Sequence, residues 1–246
     1  IFSPDAFCTG NYIGNTICMK TKTIKDIGCF DESAQNGFLY DSLFKISEAQ
    51  SKLKIEDRIV NISKVLSWRK EWYDTSYDES VIKKHLDRID AKYSRIDNLG
   101  NGVFNISYEL TAEHPLVSII IPNKNSADTL KTCIDSIIEK STYDRYEIVI
   151  IENNSTDKSI FEYYNEIQKK NNIFVYKTDL PWNYSAINNF AATKCNGEYY
   201  VLLNNDTEVI AEDWLEQMLV FAMRSDVGAV GAKLFFPDGT IQHGGV

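Results

Sequence analysis

Three polar side chains, Asn204, Asn205 and Asp206, end an apolar run at residues 199–203 (YYVLL). Five apolar residues suffice for a buried strand and are too few for a buried helix. Ligands of open α/β sheets sit beyond the carboxyl ends of the strands, where this run places its amides and its carboxylate. A carboxylate with amides beside it suits a hard divalent cation, Mn or Mg, that takes its remaining ligands from the phosphate oxygens of a bound nucleotide. Taken alone, the same residues also read as an Asn-rich turn after a strand. Two further runs end the same way. VSIIIP at 117–122 is followed by Asn123, Lys124 and Asn125, and YEIVII at 146–151 by Glu152, Asn153, Asn154 and Ser155. Three polar clusters at three strand tips predict one cleft at one sheet edge.

The elements that would position these residues alternate along residues 115–246. Ser126 is a candidate N-cap, and Leu130, Cys133, Ile134, Ile137 and Ile138 then recur at helical spacing. Ile160, Tyr163, Tyr164 and Ile167 form the face of a second helix; a strand at 173–176 and a short helix at 186–192 lead into the 199–203 strand. A helix at 212–223 and a strand at 228–235 close the series. Such alternation predicts βαβ units and a mainly parallel sheet. Before His114 the pattern differs. Strands are expected at 13–19, 55–62 and 103–110, helices at 22–27, 38–49 and around Val81 to Ile89, and a turn at Gly100-Asn101-Gly102.

The chain has 246 residues, 43% of them hydrophobic and 25% charged, as in ordinary globular proteins. A net charge of -9 argues against a nucleic-acid partner, which would require a basic face. The five cysteines lack CxxC spacing, which favours reduced thiols over a disulfide framework or a zinc site and suits a cytoplasmic protein, including one at the cytoplasmic face of a membrane. No apolar run approaches the roughly 20 residues of a transmembrane helix.

Residues 115–246 resemble the nucleotide-binding half of an inverting family 2 glycosyltransferase of the GT-A fold, a Rossmann-like, mainly parallel sheet with flanking helices. The residues that carry this likeness are VSIIIPNKN, IIENNSTD, NYSAINNFAATKCNGEYYVLLNNDTE and AEDWLEQML, and the closest flavour is that of bacterial rhamnosyltransferase-like enzymes. The resemblance implies transfer of a sugar from a UDP- or dTDP-linked donor to a saccharide or lipid-linked acceptor. It puts Pro122 and Asn125 under the nucleotide, Glu152 and Asn153 near the base, Asn188 and Asn189 facing the nucleotide, and Asn204 to Asp206 at the D-x-D position with Asp206 as metal ligand. Asn204, Asn153 and Asn188 stand where the family has Asp, Asp and Arg, so fewer carboxylates are available to hold a cation.

Residues 1–75 resemble the acceptor-side, C-terminal part of another such domain, through NYIGNTICMKTKTIKDIGCFDE, GFLYDSLFKISE and VLSWR. In that pattern Asp41 matches the catalytic base, and Trp68 and Arg69 lie near a pyrophosphate or pack at a strand end. Residues 76–114 would form a helical connector. The absence of an initial methionine and the final HGGV fit a fragment of a tandem two-domain enzyme. Two rival enzyme classes lack their signatures: PNKNSADT is not the Gly-rich basic loop of a nucleotidyltransferase, and no G-x-G-x-x-G follows a strand. A non-catalytic nucleotide-sugar-binding or scaffold module is the alternative. Trp182 and Trp214 are expected as packing residues, and His243 as a turn residue.

Overall fold

A computed structural model describes residues 2–14, 16–53, 59, 75–110 and 113–244, with the side chains of 50–53 excepted. The expected strand at 55–62, apart from Ile59, and Trp68 and Arg69 lie outside the described residues. The chain divides into two compact units, Ile1–Glu109 and Leu110–Val246.

In the first unit, short helices α1 (Pro4–Cys8) and α2 (Thr21–Asp26) and a 3-10 turn (Glu32–Gly37) lead into α3 (Phe38–Leu53). After α4 (Asp78–Arg88) come the strands β1 (Tyr93–Gly100) and β2 (Val103–Tyr108). These two form an antiparallel hairpin closed by Gly100 and Gly102, both at positive φ. Phe7, Tyr40, Leu43, Phe44, Val81, Ile82, Leu86 and Phe104 make one core. The helix anticipated as a connector therefore supplies three core residues of this unit. Among the described residues of 13–19, no strand forms. β1, too polar to announce itself (YSRIDNLG), exists because β2 pairs with it.

The second unit runs β3 (Val117–Asn123), α5 (Ala127–Lys140), β4 (Tyr146–Asn153), α6 (Lys158–Ile167), β5 (Ile173–Thr178), α7 (Tyr184–Ala192), β6 (Tyr199–Leu202) and α8 (Trp214–Ala222). The four strands pair in the order β5-β4-β3-β6, every pair parallel. This is the α/β sheet with flanking helices that the alternation predicts. The central strands β3 and β4 read as near-continuous apolar runs because helices cover both faces. Ile119, Ile121, Ile148 and Ile150 meet α5, α6 and α8 through Leu130, Ile134, Ile160, Tyr164 and Leu215. Ile120, Val149 and Ile151 meet Ile187 and Ala191 of α7 on the other face.

β6 departs from its reading as a buried strand. It is an edge strand, and Tyr200 and Leu202 are exposed, because α7 does not reach across the face they share with Ile120. Of the strand expected at 228–235, only β7 (Leu234–Phe235) forms, and it pairs with β8 (Ile241–His243) rather than with the parallel sheet. His243 thus lies in a strand and not in a turn.

At the amino edge of the sheet, the buried Glu147 accepts hydrogen bonds from Ser118 Oγ (2.6 Å), Asn196 N (2.6 Å) and Asn196 Nδ2 (3.0 Å). Burial alone would raise its pKa; the donors of Asn196 and Ser118 outweigh that and hold it below the usual value. Gly197 passes so close to β3 that an added Cβ would stand 2.5 Å from Ser118 Oγ and 2.6 Å from Ser118 N. This junction fixes where β6 begins, and so where its polar tip ends.

Candidate functional site

Parallel pairing brings the carboxyl tips of β3, β4, β5 and β6 to one edge, with Asn123 opposite Glu152 and Asn153 opposite Thr178. Asn123, which ends β3, is buried and joins three segments. Its Nδ2 donates to Asn125 O (2.9 Å) and Tyr164 Oη (2.8 Å), and its Oδ1 accepts from Asn205 Nδ2 (2.6 Å). Tyr164 Oη in turn donates to Glu152 Oε2 at 3.0 Å, and burial pushes that phenol's pKa upward. Glu152 also accepts from Ser155 N (2.6 Å) and from Ser155 Oγ. Its carboxylate, expected near the base, is 2% exposed and engaged in shaping the β4 tip.

Asn125 performs the matching task from the β3 side. Its N–H donates to Ser155 Oγ (2.7 Å), and its Oδ1 accepts from Thr156 N (2.8 Å) and Asp157 N (3.0 Å). Asn125, Ser126 and Asn154 all adopt positive φ, a region that Asn tolerates better than most residues. Ser126 occupies the N-cap position of α5 without a side-chain capping bond, because its left-handed backbone turns the hydroxyl away from that role. Pro122 is buried within β3. Asn153 Nδ2 and Asn154 Nδ2 both donate to Leu180 O, at 2.8 and 3.2 Å, which ties the loop after β5 to the β4 tip.

The turn after β6 is anchored from two sides. Asn205 reaches Asn123, while Val209 N donates to Ser136 Oγ (3.0 Å) and Lys140 Nζ to Val209 O (2.6 Å) from α5. Beneath the turn, Cys133 Sγ donates to Asn204 O at 3.7 Å, and burial pushes this thiol up to about 12. Asn204 and Asp206 stay exposed. Among the described residues, no three His, Cys, Asp or Glu side chains form a metal cage of their own. One exposed carboxylate flanked by amide oxygens fits a cation that a substrate's phosphates and water would ligate in the main. On α7, Asn188 Nδ2 donates to Tyr184 O (2.8 Å) and its Oδ1 is enclosed without a hydrogen-bond partner; Asn189 is exposed.

Asn125, Glu152 and Asn153 are thus interlocked, Asn204 and Asp206 stand on the same edge, and Asn188 and Asn189 sit on the helix covering the sheet's other face. The sequence puts Asn123 and Ser155 in the strand-tip clusters and Tyr164 on a helix face but assigns none of them a site role, and these are the residues that join the tips. Asn123 carried a signal, since an Asn closing a strand of isoleucines must be satisfied or solvated. Trp182, expected as a packing residue, is instead 63% exposed. Trp214 is packed, with Nε1 donating to Ser141 Oγ at 2.8 Å.

In the first unit, Asp41, expected as a base, is fully buried. Its carboxylate lies 2.9 Å from Arg88 Nη1 and 2.8 Å from Lys45 Nζ. Arg88 also grips Glu48, which accepts from His85 Nδ1 at 2.7 Å. A base must come within hydrogen-bond reach of the proton it takes. Asp41 is enclosed by cations instead.

The family model for "Glycosyl transferase family 2" matches residues 118–243. The protein y4gI of Sinorhizobium fredii (strain NBRC 101917 / NGR234) is 34% identical over 251 residues, which cover 96% of this chain and 27% of that protein. The O-antigen biosynthesis protein RfbC of Myxococcus xanthus is 31% identical over 251 residues, covering 100% of this chain and 20% of that protein. The chain therefore spans about a quarter or less of the length of these relatives. Among solved structures, the mannosyltransferase PcManGT of Pyrobaculum calidifontis, in complex with GDP-Man and Mn2+, overlaps 52% of this chain and 37% of its own, with 23% identity and a TM-score of 0.46.

Proposed function

The chain belongs to glycosyl transferase family 2, and from that membership we propose that its second unit binds the nucleotide diphosphate of a sugar donor along the carboxyl edge of the β5-β4-β3-β6 sheet. The sugar would pass, with inversion, to a saccharide or lipid-linked acceptor. The observation that supports this best is the hydrogen-bonded junction at Asn123, which holds the tips of β3, β4 and β6 as one rigid rim with the exposed Asp206 at one end. A preorganised rim can bind a ligand without first paying to order itself.

Asp206, aided by Asn204, would hold a divalent cation, Mn or Mg; such a cation supplies charge compensation for the departing diphosphate. Asn125 and Asn153 shape the floor under the nucleoside, and Glu152 keeps that floor in place through Ser155 and Tyr164. The Asn188 Oδ1, enclosed without a partner, offers an acceptor on the α7 side. RfbC is named for O-antigen biosynthesis, which favours a surface polysaccharide as the product. The first unit would be the acceptor-side part of a preceding domain.

The test is turnover of a panel of UDP-, dTDP- and GDP-sugars with Mn or Mg, followed by release of the nucleoside diphosphate. Proton NMR of the product's anomeric centre reads the stereochemistry. Metal-dependent release with an inverted product supports the reading, and nucleotide binding without any release favours a binding module.

A further inference from the structure

Trp182 is the most exposed aromatic residue on the ligand edge of the second unit, at 63%, and it sits on a loop that is anything but loose. The loop leaves β5 at Thr178, whose Oγ1 accepts from Leu180 N at 3.3 Å. The Leu180 carbonyl is held by both Asn153 and Asn154. At its far end Asn183 Oδ1 accepts from Ala186 N at 3.0 Å and caps α7. Two residues upstream, Thr178 and Leu180, and one downstream, Asn183, are therefore fixed, and an indole between them stays in water. Exposing a tryptophan forgoes the burial of a large apolar area. Holding it on an ordered loop reduces the entropy lost when a planar ligand stacks on it.

Position along the rim selects the ligand. Neighbouring strands lie about 4.8 Å apart, so the three steps from β6 to β5 span about 14 Å of rim. Asp206 marks the β6 end, where a diphosphate would be met, and the Trp182 loop follows β5 at the other end. Between them, the tips of β3 and β4 carry the half-buried Asn125 and the exposed Asn154, whose side-chain amides suit hydroxyls. The sequence of surfaces along the edge is carboxylate, amides, indole. A nucleoside diphosphate presents its groups in the same order: diphosphate, ribose, base.

We propose that Trp182 is the stacking platform for the nucleobase of the donor, resting on the assignment of this edge as the nucleotide site. A π-face accepts any base, so the platform would contribute affinity with little choice among uracil, thymine and guanine. Selection among bases would then fall to the exposed amide of Asn154.

The test compares UDP, GDP and inorganic pyrophosphate, each with Mn, on the parent chain and on Trp182→Ala and Trp182→Phe, by isothermal titration. Trp182→Ala is expected to weaken UDP and GDP by roughly tenfold or more, the range seen when a stacked aromatic is removed, and to leave pyrophosphate unchanged. Trp182→Phe should recover most of the loss. The exposed side chain should leave the melting temperature unaltered in both variants. Equal UDP affinity in parent and Trp182→Ala overturns the platform while the nucleotide site stands. A parallel loss of pyrophosphate affinity overturns it too, as a change in the diphosphate end. Absence of UDP, GDP and pyrophosphate binding to the parent overturns the nucleotide site and the platform together.

Discussion

Asn205 Nδ2 donates to Asn123 Oδ1 at 2.6 Å, and this one bond joins the turn carrying Asp206 to the tip of the neighbouring strand. Asn123 donates its own two amide protons to Asn125 O and Tyr164 Oη. Asn123→Ala therefore removes the donor to a buried phenol oxygen and to a backbone carbonyl, together with the acceptor of Asn205 Nδ2, and should cost about 3 kcal/mol of stability. Urea unfolding measures the loss. A midpoint unchanged from the parent would mean that the rim does not depend on this residue.

Gly197 supplies a test at the opposite edge. Gly197→Ala puts a Cβ against backbone and side chain of Ser118, neither of which is a flexible tip. Overpacking of this kind costs about 2 kcal/mol. Thermal unfolding should show a clear drop for Gly197→Ala, while Gly228→Ala, with nothing near its Cβ, should stay close to the parent.

The Glu147 carboxylate is stabilised by its donors, so its folded pKa lies below the ordinary 4.5. A depressed carboxylate adds stability above its unfolded pKa and loses it as pH falls through the folded value. The parent should thus lose stability on acidification below about pH 4.5 more steeply than Glu147→Gln. Identical slopes for the two proteins in that window would count against the assignment.

Cys133 carries a thiol raised to about 12 and sits under the Asn204–Thr207 turn, whereas Cys18 and Cys29 are exposed. At pH 8 a thiol-reactive reagent should label Cys18 and Cys29 in the folded protein and spare Cys133 until denaturant is added. Mass mapping of the labelled peptides reads this directly, and rapid native labelling of Cys133 would show the turn to be open.

Much of the second unit was legible because its central strands are buried on both faces and its helices repeat at 3.6. The parallel order put Asn123, Glu152 and Asn205 on one edge, as three polar strand tips predicted. β6 read as buried since Tyr199 to Leu203 are all apolar, yet an edge strand needs only one covered face. β1 and β7 were illegible or misplaced because their pairing comes from a partner strand rather than from an apolar pattern. The use of Glu152 was hidden for another reason: its partners, Ser155 and Tyr164, are local and helical, and no spacing rule joins them. Asp41 shows the same limit. Its place at the start of α3 was readable, and its ion pairs with Arg88 and Lys45 were not.

Binding of a nucleoside diphosphate to the rim at the carboxyl edge, through a cation at Asp206, is tested most directly by isothermal titration of UDP, dTDP and GDP, with and without Mn, into the parent chain and Asp206→Ala. Binding by the parent that requires Mn and disappears in Asp206→Ala, with the melting temperature unchanged because the carboxylate is exposed, is the result predicted. Equal affinity of the two proteins in the presence of Mn, or no affinity of the parent for any of the three nucleotides, would contradict it.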